Sequence, residues 1–127
     1  MIYLENEREF VLSKINGYRQ SRRLAPLALH EEQSEGCKAH AQHLLERSRK
    51  EGHLVIENSP EHLRPGWKEN TTGLEGEGNV ELALHNLMWQ TFFSSQLKNI
   101  KEAKTHAAVH VAVDPETKRV FLVTRFK

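Results

Sequence analysis

The chain has 127 residues, enough for one domain over 1–127 that buries a core without disulfides or metal staples. Its 18 Lys and Arg against 17 Asp and Glu leave a formal net charge of +1, which argues against a dedicated nucleic-acid or anionic-membrane surface. The single cysteine, Cys37, excludes an intramolecular disulfide, and no apolar run reaches the length of a membrane span.

The opening stretch MIYLENEREF is acidic and helical in pattern, unlike a signal peptide. A first helix is expected over residues 4–20. Val11, Ile15 and Tyr18 fall at i, i+4 and i+7, with Leu4 one heptad earlier and Phe10 beside the stripe. Gly17 weakens its end, and Pro26 makes residues 23–29 a connector. A second helix is expected from His30 to Lys50, with Cys37, Ala41, Leu44 and Leu45 on its apolar face and Gly52 as its stop. Cys37 reads as a small buried hydrophobe; a nucleophilic role beside His40 and His43 would need a lowered pKa.

From His53 to Asn79 the chain reads as a loop holding Pro60, Pro65, Gly66, Gly73, Gly76 and Gly78. Loops this long in a compact domain tend to be functional. Leu63 and Trp67 look exposed in it, as a contact surface, and a further strand could hide in 53–57 or 67–71. A third helix is expected over 79–96, with Val80, Leu84, Leu87, Met88 and Thr91 on one side. Two strands close the chain, 106–113 and 119–126, joined by the turn 114–118. Val109, Val111 and Val113 share one face of the first strand; His106, Ala108, His110 and Ala112 share the other. Both faces are apolar or small, so the expected fold is α+β, a three-layer α-β-α sandwich.

Familiar catalytic motifs are absent. The run HEEQS at 30–34 ends in Ser where a zinc-protease helix needs His. The run TGLEGEG at 72–78 is Gly-rich, but it is acidic and lacks the lysine of a phosphate loop. The eight histidines are many for this length. His40 and His43 share a helix face, and His106 and His110 share a strand face. Imidazole is a common metal ligand, but a zinc site needs three or four converging groups.

In chain order, four stretches resemble the CAP superfamily, which groups cysteine-rich secretory proteins, antigen 5 and plant pathogenesis-related proteins. Asn16, Arg19 and the later Leu24-Ala25-Pro26-Leu27 resemble an opening N-x-x-R … L-x-P-L. The alanine-containing second helix closes on Gly52-His53. Glu69-Asn70 resembles G-E-N, with Lys68 in place of Gly. Trp89, Ser94-Ser95-Gln96-Leu97-Lys98-Asn99-Ile100 and His106 to Val111 resemble W … S-P-x-H-R-x-N-I-L … V-G-V-G-V. The chain looks like a disulfide-free, bacterial-type member.

The resemblance implies an α-β-α fold and a cleft in which His53 and Glu69 meet, beside Asn70 and Gln96. In the family a second histidine and a second glutamate complete a tetrad able to hold a divalent cation, commonly zinc. Here Gln96 stands where the second histidine is expected, and Gln90-Thr91-Phe92 stand where the second glutamate is expected, so its position is left open. A metal set would then be His53, Glu69 and His110, or His106 in its place. Two functions follow as expectations. One is a binding module for a lipid, another small molecule or a protein partner. The other is a zinc-dependent hydrolase in which Glu69 is general base and His53 a ligand. The family is mostly secreted.

Overall fold

A computed structural model describes residues 2–3, 5–75 and 80–127. Leu4, expected one heptad ahead of the first helical stripe, lies outside the described residues, as do Gly76 and Gly78 of the expected loop and Asn79 at the expected start of the third helix. In chain order the elements are β1 (Ile2–Tyr3), α1 (Glu5–Ser21), β2 (Ala28–Leu29), α2 (Glu31–Glu51), a 3-10 turn (Glu61–Leu63), β3 (Lys68–Leu74), α3 (Val80–Phe92), α4 (Leu97–Glu102), β4 (His106–Val113) and β5 (Val120–Phe126). The class is α+β.

The β4–β5 hairpin is the centre of the sheet. Its strands pair antiparallel from Ala107 with Phe126 to Val113 with Val120. On the far side of β5 lies β3, antiparallel, from Lys68 with Phe126 to Leu74 with Val120. The free edge of β4 is shared by two short strands. Parallel β2 pairs at His106 and Ala107, and antiparallel β1 pairs at Ala112 and Val113. In the gap between them the Val109 N–H donates to Ser34 Oγ of α2 at 3.2 Å, so this edge is covered as well.

Alternation along the hairpin splits the core in two. Val109 and Val111 of β4 and Val120 and Leu122 of β5 pack with Val11 and Ile15 of α1, Leu84 and Leu87 of α3, and Ile100 of α4. Ala108 and Ala112 of β4 and Phe121 and Val123 of β5 pack with Cys37, Ala41, Leu44 and Leu45 of α2. The small residues at this second seam allow α2 to lie close to the strands. The helix stops at Gly52, whose φ of 76° is the left-handed conformation that glycine adopts without strain.

Several boundaries differ from the sequence reading. Ile2–Tyr3 is a strand rather than the start of a helix, because its backbone pairs with β4. The third helix ends at Phe92 instead of running on to residue 96. There Ser94 Oγ donates to the Thr91 carbonyl, a local bond that competes with helix continuation, and the short helix α4 follows. Of the two places in the expected loop where a further strand could hide, 67–71 falls in β3 (Lys68–Leu74), while 53–57 holds no strand.

The connector between α1 and α2 is fixed by the two polar residues of the opening motif. The Asn16 amide accepts from the Leu27 N–H at 2.8 Å and donates to the Leu27 carbonyl at 3.1 Å, much as a neighbouring strand would. The buried Arg19 guanidinium donates to the carbonyls of Ala25, Ile100 and Ala103 at 2.8–2.9 Å, tying the connector to the C-terminal end of α4. We expect Asn16→Ala to cost about 1–3 kcal/mol by leaving both Leu27 groups short of a partner. The adjacent Gly17 is exposed, and an added Cβ meets nothing within 4 Å. Gly17→Ala is therefore expected to stabilise by about 0.5–1 kcal/mol. Urea unfolding of the two variants checks both signs.

Candidate functional site

Residues 69, 71 and 73 of β3 pair with 125, 123 and 121 of β5, so they share the sheet face that α2 covers. Glu69 and Arg125 thus stand side by side beneath α2, both buried. The Glu69 carboxylate accepts from Ser59 N at 2.6 Å, Ser59 Oγ at 2.7 Å, Arg125 Nε at 2.9 Å and Thr71 Oγ1 at 3.3 Å. The Arg64 Nε lies 3.6 Å from it. Each arginine is further anchored. Arg64 donates to Ser59 Oγ and to the carbonyls of Ser59 and Trp67. Arg125 donates to Gln33 Oε1 of α2 at 3.0 Å and to Ser59 Oγ at 3.3 Å. At Gly36 an added Cβ would collide with the Arg125 guanidinium, so α2 carries its glycine where the arginine needs room.

The imidazole beside Glu69 is His40, at 3.8 Å, not His53. His40 Nε2 donates to the Glu57 carbonyl at 2.7 Å, so that nitrogen carries the proton. His43, one turn on, stacks on it with ring centroids 6.0 Å apart. His53 is exposed past the end of α2, and its Nδ1 contacts the Leu54 carbonyl of its own turn.

Above this network opens a cavity of about 730 Å³. One wall is α2, through Gly36, Ala39, His40 and His43; the other is the loop from Glu57 to Pro60 with Leu63, and Arg125 lies at the base. Leu63 is 60% exposed at the rim. Trp67 differs from expectation: it is 7% exposed, edge-on to His30 at 5.0 Å and beneath the Lys127 ammonium. It anchors the loop, and Leu63 is the residue left outside.

Asn70 and Gln96 belong to a different place. Asn70 follows Glu69 in a strand, so it points to the opposite sheet face. It donates to the Gln96 carbonyl at 3.0 Å and accepts from Asn99 Nδ2 at 2.7 Å. Gln96 Nε2 donates to the Thr71 carbonyl at 3.1 Å, a side-chain bond along the outer edge of β3. These residues clamp α4 to the sheet edge rather than line the cavity.

The expected metal set is not brought together. Among the described residues no group of three or more His, Cys, Asp and Glu is placed to hold a metal ion. The Glu69 carboxylate already faces two arginines, which oppose a third cation. His110 lies in the α2-side face of β4 between Ala108 and Ala112. His106 is edge-on to His30. Cys37 is fully buried, and burial pushes its thiol up to about 12, so it is a packing residue and not a nucleophile. Sequence reasoning missed Ser59, Arg64, Arg125 and, as the partner of Glu69, His40. An arginine in the apolar run of β5 was the one signal for a buried carboxylate partner. No protein-family model matches the chain, and a search of the curated proteins finds no match.

Glu69 and His110 make stability depend on pH in two ranges. Burial alone would raise the Glu69 carboxyl, but hydrogen bonds from Ser59 and Arg125 and the adjacent His40 hold it below its ordinary 4.5. As pH falls below about 4.5 the unfolded chain takes up that proton first, so stability is lost towards the lower folded value. Burial, then the cations Lys38 and Arg8, lower His110 from 6.5 to about 4. Between those values the unfolded chain is protonated and the folded one is not, so stability again falls as pH falls, by up to about 3 kcal/mol. In urea titrations from pH 7 to 3, His110→Gln is expected to flatten the upper range and Glu69→Gln the lower. At pH 7, Glu69→Ala is expected to cost about 3–5 kcal/mol, because two buried guanidiniums lose their counter-charge.

Proposed function

We propose that this chain is a binding module of the CAP kind, with the cavity over Glu69 and Arg125 as its ligand site. The order of the elements supports that family reading. So does the packing of α2 against one sheet face and of α1 with α3 against the other, which supports reading the fold as a three-layer α-β-α sandwich. The roles of Asn16 and Arg19 in pinning the connector give the opening motif a structural purpose.

The observation that carries the ligand class is the charge beneath the cavity. One buried carboxylate faces two buried guanidiniums, of which Arg125 lines the cavity, and the Glu57 carboxylate on the loop wall is paired with Arg47, so Arg125 is the cation left at the base. Ala39, Pro60 and Leu63 supply apolar surface above it, while His40 and His43 supply polar groups on one wall. A volume of about 730 Å³ suits a small ligand. The ligand is a small amphiphile with an anionic head near the imidazoles and a short apolar body against Leu63. The zinc-dependent hydrolase has less support. A general base needs a lone pair free for water, and both oxygens of Glu69 already accept hydrogen bonds within the fold.

Isothermal titration with decanoate, decanol and decylamine tests this. Decanoate is expected to bind most tightly and decylamine least. Ala39→Trp, at an exposed wall position, should abolish decanoate binding and leave the unfolding midpoint in place. Absence of decanoate binding at millimolar concentration, or equal binding of decylamine, would overturn the proposal.

A further inference from the structure

Helix α3 shows an apolar stripe to solvent as well as to the core. Leu82 is 56% exposed, Trp89 67% and Phe93 73%. The first two lie seven residues apart and Phe93 follows four residues later, just past the helix end, so all three share one side at the helical period. The rings of Trp89 and Phe93 lie 4.6 Å apart and make one continuous patch. Large exposed side chains grouped in this way mark an interaction surface.

Acidic residues stand at one end of this side and basic residues at the other, with Lys14 over the Phe10 ring between them. Phe10 meets His85 and Tyr18 meets Phe92, each pair with centroids 5.2 Å apart, so α1 and α3 run parallel. At their N-terminal ends stand Glu7 and Glu81, acidic residues in the first turns. At the other end Arg22 lies over the Tyr18 ring at 5.5 Å, and Lys98 follows five residues after Phe93. Among the described residues, no ion pair occupies any of these four charges. The dipoles of the two parallel helices add to the same polarity.

From this geometry we infer that the outer face of α3 binds a second copy of this chain about a two-fold axis. Antiparallel packing of α3 on its copy sets Trp89 and Phe93 against apolar surface. It also brings each acidic end to the basic end of the partner, and opposes the helix dipoles. Such a patch is complementary to itself, as an isologous contact requires. An anionic membrane would instead meet acidic residues at one end of the same face.

Sedimentation equilibrium of the full chain from micromolar to millimolar concentration, at low and high salt, is the test. The expected result is a dimer that dissociates on dilution and weakens with salt, with Trp89 emission shifted to the blue as it forms. Trp89→Lys changes an exposed position, so it should keep the circular-dichroism spectrum and unfolding midpoint while weakening the dimer by at least about 30-fold. Glu81→Lys should weaken it too, and Glu81→Lys combined with Lys98→Glu should restore it. A monomer at every concentration, or association unchanged in Trp89→Lys, would overturn the inference. So would a monomer that sediments with phosphatidylserine vesicles through Trp89, since that outcome assigns the patch to a membrane.

Discussion

The ion cluster at Glu69 organises one whole face of this fold. A buried carboxylate is tolerable when several donors and a cation surround it, and each donor here comes from a different piece of chain. Ser59 brings the loop after α2, Arg64 the 3-10 turn, and Arg125 the last strand, which is itself held to α2 through Gln33. The long segment between α2 and β3 is thereby ordered by polar contacts as well as by the apolar contacts of Leu54 and Trp67. The same contacts give the cavity a rigid floor.

Two arginines on one carboxylate also set the sign of the site. A tetrad of imidazoles and carboxylates would present a negative field to a cation. This cluster presents the reverse, and the second arginine makes the difference. Arg64 is the closer to solvent of the two, and it is held by Ser59 and by the Trp67 carbonyl. The burial of Trp67 is thus connected to the charge at the cavity base through three residues of sequence.

The three long helices and the hairpin were readable because their apolar residues repeat with clean periods, whereas the short helix α4 was not. Val11 and Ile15, Cys37 to Leu45, and Val109 to Val113 point where the spacing puts them. Strand β3 was legible only as an alternative, a strand that could hide in 67–71, because residues 68–74 carry almost no apolar side chains. Its inward positions hold Glu69, Thr71 and Gly73, whose burial is made tolerable by partners from distant residues. Pattern reading scores burial through hydrophobicity, and here burial runs through an ion pair. Glu69 was singled out through the family resemblance, and the residues that surround its carboxylate were not. His53 follows the end of α2 in sequence, yet the chain turns outward at Gly52, and the imidazole that faces Glu69 is thirteen residues earlier, in the body of the helix. Asn70 was assigned to the same cleft as Glu69, but successive strand residues face opposite ways.

Gly36 connects this chemistry to how the sequence can change over time. The guanidinium of Arg125 fills the space where a side chain at position 36 would begin. A larger residue at 36 therefore displaces the arginine, and loss of the arginine leaves both a void beside the helix and a carboxylate short of a cation. Space at position 36 and charge at positions 69 and 125 are therefore coupled through one guanidinium.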